Sequence, residues 1–382
     1  MNTSRSPTLT PMRETRLVAE IDRLGSAGLD GLELLRRVTT ALRPLVPFDA
    51  FCATTTDPAS NLITDAVSGR ESATATLTGG VSANYFERVY FEHDLGDTLA
   101  MLRAGQPVRR LSDLAGSDLA RSGRYRLHLQ PRHLGPEVYA TFVDRGLWGE
   151  LHLTREQGSS DFKDQEVDLI RQIAPRIAAG LKSAALRSRA GTITEQEGFD
   201  APGVLILDQD GNVVSATANV DGFLRDLGAS EDRTRGEREL PIAIKVVLAA
   251  LERAMEPVTE QDRGRVPRLR VRAASGRWLT LDASQTEVAG DRPSERVVVI
   301  GPAQTEEIAW LSMTAYELSA REEEVVRLVV RGLSTKQIAE QLFIAEHTVQ
   351  RHLSNIFEKV GVRSRRDLVK RLFVDQVLPT LE

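Results

Sequence analysis

Apolar residues recur at helical spacing through the C-terminal part of the chain, and turn residues separate them into four short stretches. In the third stretch the apolar positions follow one another at i, i+4, i+7, i+8 and i+11, which places them along one face of a helix. These positions are Val349, Leu353, Ile356, Phe357 and Val360. The pattern predicts helices at about Ala320–Arg331, Thr335–Leu342 and Glu346–Lys359, with a fourth after Ser364.

Helix start and stop signals agree with this division. Three serines are each followed, three residues later, by a side chain that can return a hydrogen bond: Ser319 by Glu322, Ser334 by Gln337, and Ser364 by Asp367. The first two pairs are capping boxes, and the third is a weaker variant because Asp is shorter. Gly332 and Gly361 follow the first and third helices, where glycine adopts the left-handed turn without a Cβ clash.

The third helix directs polar side chains away from its apolar stripe, and the charge of the region is basic. From Arg331 to Phe373 there are nine Lys and Arg residues against four Asp and Glu, whereas Met1 to Val330 contains 40 against 48. A basic segment on an acidic chain is typical of a nucleic-acid-binding module. A polar outer face on the second helix of a helix-turn-helix suits the major groove of DNA.

The stretch from Leu318 to Phe373 resembles the LuxR-type helix-turn-helix, which also ends the NarL/FixJ response regulators. The resemblance rests on these pieces: Leu318 to Glu322, Gly332 to Ser334, Ile338-Ala339, Thr348-Val349 with His352, and Lys359 to Arg365. One position departs from the family, which usually has Ser or Thr at the cap of the recognition helix, whereas this chain has Ala345. A missing cap costs a helix about 1 kcal/mol, so we expect this end to fray without DNA.

The outer face and the resemblance together predict the residues that contact double-stranded DNA. They are Lys336, His347, Thr348, Gln350, Arg351, Ser354, Asn355 and Lys359. The resemblance implies that Gln350, Arg351 and Ser354 face the bases. The fork of Arg351 fits the two acceptors of guanine, whereas the point charge of Lys359, near the helix end, suits a phosphate.

The fourth helix predicts the dimer contact. Its apolar residues are Leu368, Val369, Leu372 and Phe373. They offer more apolar surface than a small core needs, and the family uses this helix for dimerisation, so we expect a homodimer. The alternative is that all four pack inside their own domain.

The first part of the chain predicts an α+β sensor domain over residues 15–187. The pattern gives helices from about Thr15 to Leu42, a hairpin near Asp49–Thr54 and Leu62–Thr64, a helix at about Ala83–Phe91, a hairpin of Val138–Val143 and Leu147–Leu153, and a long helix with an apolar stripe from Val167 to Leu181. By this layout, and around Gly149 to Leu151 and Asp161-Phe162, it resembles a GAF domain. That family often binds a small molecule over its sheet, whereas a dimerisation module without a ligand is the open alternative.

Residues 201–302 predict a second α+β domain. A hairpin of Val204–Leu207 and Val213–Ala216 is followed by helices near Val220–Leu227 and Pro241–Met255, and then by strands at Leu269–Ala273, Trp278–Ala283 and Val297–Ile300. This order resembles a PAS domain, with Trp278 expected in its core. No His lies between Gly203 and Trp310, which argues against a His-ligated haem. The absence of Cys there rules out a flavin–cysteinyl adduct.

The whole chain is therefore predicted to be a multi-domain regulator. Residues 1–14 are a disordered tail, residues 303–317 form a linker helix, and residues 318–382 form the all-α DNA-binding domain. At 382 residues and a net charge of −5, the chain suits two or three soluble domains. No apolar run approaches the roughly 20 residues of a membrane span, and one cysteine, Cys52, fits a reducing cytoplasm.

The predicted function is a one-component, sequence-specific transcription regulator. The sequence predicts no catalytic residues and no metal site, and it leaves the cofactor and the signal unidentified. Two alternatives remain at this point. One is a response regulator controlled by phosphorylation or by a partner protein, although the paired acidic residues of a receiver domain are missing. The other is a GAF-fold enzyme, although methionine sulfoxide reduction on this fold uses several cysteines.

The charge distribution predicts that the isolated Leu318–Glu382 fragment binds random DNA at low salt at least as tightly as the full chain does. The acidic excess upstream should repel phosphates. Titrating labelled DNA with each protein measures the two affinities. Weaker binding by the fragment at every protein concentration would contradict this prediction, because the upstream part would then contribute to DNA affinity.

Overall fold

The computed structural model describes residues 10–70, 98–186, 201–229, 240–255, 266–286, 294–304, 316 and 318–371 of the chain. Contacts divide the protein into two compact units. One unit contains two β-sheets and their helices, and the other contains the helices that follow Ala303. The predicted succession of two α+β regions and an all-α region is confirmed for these residues.

Five strands form the first sheet: β1 (Ala50–Asp57), β2 (Leu62–Arg70), β3 (Val108–Arg110), β4 (Leu134–Val143) and β5 (Leu147–Glu156). Their order is β2-β1-β5-β4-β3, with antiparallel neighbours throughout. Both predicted hairpins are confirmed. Asn61 and Arg145 adopt the left-handed backbone in their turns, at φ values of 59° and 53°. The apolar pattern does not predict β3, because three residues carry too little periodicity.

The described helices of the domain are α1 (Pro11–Ser26), α2 (Gly31–Leu42), α3 (Thr98–Arg103), α4 (Leu111–Ala115) and α5 (Asp164–Leu186). Helices α1, α2 and α5 cover one face of this sheet. The apolar stripe of α5, from Val167 to Leu181, is buried inside the domain. Because it packs within its own chain, this stripe offers no free surface for a partner.

Two glycines allow these helices to pack closely. Helix α1 passes α5 where Gly25 lies beside Gly180, and a Cβ on Gly180 would lie only 3.1 Å from the Cα of Gly25. A Cβ on Gly149, in β5, would lie 2.4 Å from the carbonyl oxygen of Thr54 and 2.9 Å from a methyl carbon of Leu181. The absence of a side chain at Gly149 therefore sets how closely α5 and β1 approach β5.

The second sheet has the same strand order as the first. Its strands are β6 (Gly203–Leu207), β7 (Val213–Ala216), β8 (Arg268–Arg272), β9 (Trp278–Gln285) and β10 (Arg296–Pro302), in the order β7-β6-β10-β9-β8. Helices α6 (Val220–Asp226) and α7 (Ile242–Met255) accompany it. Every predicted element is confirmed to within two residues. The prediction that Trp278 lies in the core is wrong. Its side chain is half-buried, and the core is filled by smaller side chains such as Leu279 and Leu281.

A buried ion pair joins the two sheets. The Oδ2 atom of Asp57, at the end of β1, accepts hydrogen bonds from both the amide and the Nε of Arg270 in β8, each at 3.2 Å. The Asp57 side chain is 1% exposed and that of Arg270 is 13% exposed. Next to it, Ile63 packs against Val246 of α7, so the hairpin of β1 and β2 rests on the second domain.

The described residues of the C-terminal unit form four helices within one residue of their predicted bounds. They are α8 (Ala320–Val330), α9 (Thr335–Leu342), α10 (Glu346–Val360) and α11 (Arg365–Val369). One apolar cluster joins them, with Val326, Ile338, Val349, Ile356 and Leu368 fully buried at its centre.

The remaining predictions have mixed outcomes. Helix α1 begins at Pro11, so residues 11–14, which were predicted to belong to a disordered tail, are helical. Proline is favoured in the first turn of a helix. The helix predicted at Ala83–Phe91 lies outside the described residues, as does nearly all of the linker helix predicted at residues 303–317. Within the described ranges, the structure contains no helix both long enough and apolar enough to span a bilayer.

We predict that Gly149→Ala destabilises the first domain by about 1–3 kcal/mol, because the new methyl group collides with backbone that cannot move aside. Gly301→Ala is the matched control, because a Cβ there meets its nearest neighbours at 3.7 Å, an ordinary contact. Urea unfolding of the full chain measures both changes. A Gly149→Ala variant as stable as the control would show that the close approach is not needed.

Candidate functional sites

Helix α10 separates a buried face from an exposed polar face. Val349, Leu353, Ile356 and Val360 are buried in the helical core. The predicted DNA-contacting side chains lie on the other side or on α9: His347, Gln350, Arg351, Ser354, Asn355, Lys359 and Lys336 are exposed, and Thr348 is half-buried. The structure therefore brings the predicted residues of α10 onto one accessible surface, defined here as the recognition face.

One side chain on this face already has its donor engaged. The hydroxyl of Ser354 donates to the carbonyl oxygen of Gln350 at 3.1 Å. With that donor engaged, Ser354 offers a partner the acceptor capacity of its hydroxyl oxygen.

The predicted caps hold the four helices. Ser319 with Glu322 and Ser334 with Gln337 form complete capping boxes. The Ser364 side chain accepts the amide of Asp367 at 3.1 Å. Gly332 and Gly361 have φ values of 82° and 73°, as their helix-ending role requires. Ala345 occupies the N-cap position of α10 and forms no side-chain hydrogen bond there, as its residue type predicts.

Two arginines tie the helix ends together. Arg321, on α8, donates to the carbonyl oxygen of Leu342 at the end of α9, at 2.7 Å. Arg365, at the start of α11, donates to the carbonyl oxygen of Leu333 in the loop between α8 and α9. Carbonyls at helix ends have no partner within the helix. These bonds satisfy such groups and fix the neighbouring helices, a role that the sequence analysis did not assign to either arginine.

A carboxylate links the first helix of the unit to the last turn of the recognition helix. The Oε2 atom of Glu322 accepts from the Ser319 amide and from the Nζ of Lys359, each at 2.7 Å. Burial alone would raise the pKa of Glu322, but the bonds from Lys359 and Ser319 outweigh it and hold the pKa below its ordinary value. Lys359 thus has an intrachain partner in addition to its predicted phosphate role, which stays a prediction.

The predicted dimer residues divide into two pairs. Leu368 is fully buried in the core of its own chain, and Val369 packs against that core. A direct partner contact by Leu368 is therefore wrong, because the compact core uses its surface. Leu372 and Phe373 lie outside the described residues. Dimerisation through this end of the chain stays a prediction.

The first sheet has a second candidate site, because its other face is polar although it is buried. The strand register places Tyr139 beside both His152 and Arg109, Cys52 beside His152, and Thr54 beside Glu150. Side chains alternate between the two faces of a strand, so these residues share one face, defined here as the polar face. Helices α1, α2 and α5 bury the opposite, apolar face.

Two carboxylates on the polar face are matched by cations. The guanidinium of Arg124 donates one hydrogen bond to each carboxylate oxygen of Glu137, both at 2.8 Å. The ring nitrogens of His152 lie 3.7 Å from Glu137 and 3.5 Å from Glu150. Burial would raise the pKa of Glu137, but the charge of Arg124 holds it far below the usual range. Burial and Arg124 would lower the pKa of His152, but the two carboxylates raise it above its ordinary value.

The sequence pattern did not predict these pairings of buried charged residues. Glu137 lies on β4, Glu150 and His152 lie on β5, and Arg124 precedes a π-helical turn at Tyr125–Leu129. Such turns occur frequently at functional sites. Among the described residues no group of three or more His, Cys, Asp or Glu side chains is placed to hold a metal ion.

Comparison with known proteins gives a match in the C-terminal unit. Residues 316–372 match the model of the bacterial regulatory proteins of the luxR family. The spore germination protein GerE of Bacillus subtilis is 47% identical over 55 residues, which are 14% of this chain and 74% of that protein. The oxygen regulatory protein NreC of Staphylococcus epidermidis is 35% identical over 71 residues, 19% of this chain and 33% of that protein.

Solved structures give only distant likenesses. A GAF domain/HD domain protein from Geobacter sulfurreducens aligns with 41% of this chain and 96% of its own, at 21% identity and a TM-score of 0.29. The VqmA dimer of Vibrio cholerae aligns with 46% of this chain and 83% of its own, at 20% identity and a TM-score of 0.21. At these TM-scores neither structure assigns the fold of the N-terminal domains.

We predict that the stability contributed by Glu322 is lost in acid. Because its folded-state pKa is lowered, the contribution is present above the ordinary pKa of about 4.3 and disappears as the pH falls through the lower, folded value. The destabilisation caused by Glu322→Gln should therefore shrink between about pH 5 and pH 3. Urea unfolding across this range measures it.

Glu340→Gln, on the exposed surface of α9, is the matched control and should show no such trend. A Glu322→Gln effect that stays constant down to the lowest pH would contradict the lowered pKa.

Proposed function

The chain belongs to the LuxR family of bacterial regulatory proteins, and from that premise we propose that its N-terminal domains sense a signal and control how tightly its recognition face binds an operator. The protein is a DNA-binding transcriptional regulator of the LuxR/GerE type. The observation that carries the proposal is the recognition face of α10, which exposes polar donors and acceptors while four apolar residues hold the helix in its core.

The two sheet domains are proposed to be GAF-like and PAS-like sensors, over residues 15–187 and 201–302. Their shared strand order and their position ahead of the DNA-binding unit support this role. A receiver domain needs a parallel, doubly wound sheet, whereas every strand pair with a described register is antiparallel. Direct sensing is therefore favoured over control by phosphorylation.

A homodimer is the proposed state on DNA. Helix-turn-helix proteins of this kind gain affinity and specificity from two half-sites. With Leu368 in its own core, the contact is proposed to involve the outer side of α11 and the residues that follow it. A cytoplasmic location follows from the proposed work on DNA.

Within the recognition face, Arg351 is proposed to read a base. Its side chain is exposed on the first half of α10, opposite Val349 and Leu353. A guanidinium fork matches the O6 and N7 acceptors of guanine, and such a pair contributes about 1–3 kcal/mol of discrimination. Gln350 and Ser354 are proposed to face the bases beside it, and the other predicted contacts on α9 and α10 position the helix through phosphates and sugars.

We predict that Arg351→Ala weakens binding to a selected site by about 1–3 kcal/mol and barely changes binding to random DNA. Arg351→Lys is the more specific test, because lysine keeps the positive charge but cannot donate the two parallel hydrogen bonds of a guanidinium. It should lose most of the discrimination while leaving the salt dependence nearly unchanged. Affinities on selected and random duplexes at several salt concentrations measure both effects.

Equal losses on selected and random DNA for Arg351→Ala would assign this residue to a phosphate. Full discrimination by the Arg351→Lys variant would show that charge alone suffices. Either result would overturn its role as a base reader.

A further inference from the structure

On the polar face of the first sheet, the described residues leave the guanidinium of Arg109 without an acidic partner. Glu137 is bonded to Arg124, and Glu150 lies beside His152. Arg109, on β3, has no carboxylate within ion-pair distance among the described residues, and its buried Nε has no hydrogen-bond partner. An unmatched, half-buried guanidinium is costly, so the site favours a partner that brings negative charge.

The neighbouring arginine shows the contrast. Arg110 faces the other way from β3 and is paired with both Asp113 and Asp164. Two acids therefore match Arg110. In the part of the chain that the structure describes, none lies beside Arg109, which is opposite Tyr139 in the strand register.

An apolar cavity lies at the edge of the sheet, beside Pro107, which is two residues before Arg109 along the chain. Its volume is about 260 Å³. Its walls include Met101 of α3, Pro107, Thr141 of β4, and Ala174 and Pro175 of α5. The volume approaches the lower end of the range for small-molecule sites, roughly 300–1,000 Å³.

The strand register connects this cavity to the cation. Thr141 donates its amide to the carbonyl oxygen of Pro107 at 2.8 Å, which places those two residues opposite one another. Arg109 and Tyr139 form the pair two residues further along the same strands. Two residues of strand span roughly 6.6 Å, and an arginine side chain bridges that distance. Pro107 and Thr141 lie on the side of the sheet that bears Arg109. The opposite wall of the cavity comes from α5, so the cavity spans the edge of the sheet. One molecule of modest size can therefore place its body in the cavity and a charged group on Arg109.

We propose that this site binds a small organic anion, with its carboxylate on the guanidinium of Arg109 and its apolar body in the cavity against α5. The inference rests on the proposed sensing function and names the chemical class of the signal. The raised pKa of His152 fits it, since a protonated imidazole balances Glu150 and leaves Arg109 as the unmatched charge. Pro175 has no amide hydrogen, so α5 lacks one backbone hydrogen bond where the ligand body would touch it.

The test uses the full chain and matched probes in calorimetric titrations at millimolar concentration. Hydrocinnamate and hexanoate carry the carboxylate, their primary amides keep the shape without charge, and hexylamine reverses the charge. We expect the carboxylates to bind at least about tenfold more tightly than the amides. Arg109→Gln should remove that advantage and leave amide binding unchanged, whereas Arg109→Lys should retain part of it.

Two further variants control the result. Arg16→Gln changes an exposed arginine of α1 and should alter nothing. Ala174→Leu fills the cavity and should weaken carboxylates and amides alike. Thermal unfolding of each variant shows that the fold is retained.

Amides that bind as tightly as carboxylates would overturn the proposal, as would the absence of binding by every probe. Tightest binding by hexylamine would instead assign the site to cations held by Glu150, and would also overturn it. The same preparations are assayed for DNA binding with and without hydrocinnamate. Carboxylate binding that leaves DNA affinity unchanged would support the site while refuting its proposed control of the operator.

Discussion

The carboxylate of Glu322 determines how the recognition helix is held. It accepts from the first helix's own cap at Ser319 and from Lys359 in the last turn of α10, both at 2.7 Å. Its side chain is 4% exposed, so the bonds form where water competes poorly. Arg321 and Arg365 secure the ends of α9 and of the loop before it. With these ends fixed, the apolar stripe of α10 stays in the core and the recognition face stays outside.

The two sheet domains share a strand order but differ in what they bury. The core of the second domain is formed from apolar side chains such as Leu205, Phe223 and Val298. The first domain buries charged residues on the polar face of its sheet, including Glu137 and His152. Burying such groups is costly unless they are paired. This difference makes the first domain the better candidate for a ligand site, and the Asp57–Arg270 pair connects it to the second domain.

Local sequence signals predicted much of this structure. Capping serines and glycines gave the bounds of the C-terminal helices to within one residue, because each signal acts within one turn. Hairpin turns located the strands beside them less sharply, since β2 extends to Arg70 where the pattern predicted an end at Thr64. The sequence did not reveal pairings between distant residues, such as Glu322 with Lys359 or Arg124 with Glu137. Leu368 was assigned to a partner surface because helical spacing identifies an apolar face without saying what covers it.

The most direct test is a double-mutant cycle on Glu322 and Lys359, measured as affinity for a DNA site selected from a random pool. If the pair orients the recognition helix, Glu322→Gln and Lys359→Met should each weaken binding, and the double variant should bind no more weakly than the weaker single variant. The expected coupling is about 1 kcal/mol, since one partner is half-exposed. The salt dependence of the Lys359→Met variant reports its predicted phosphate contact separately. Losses that add fully would show that the two residues act independently and would contradict this account.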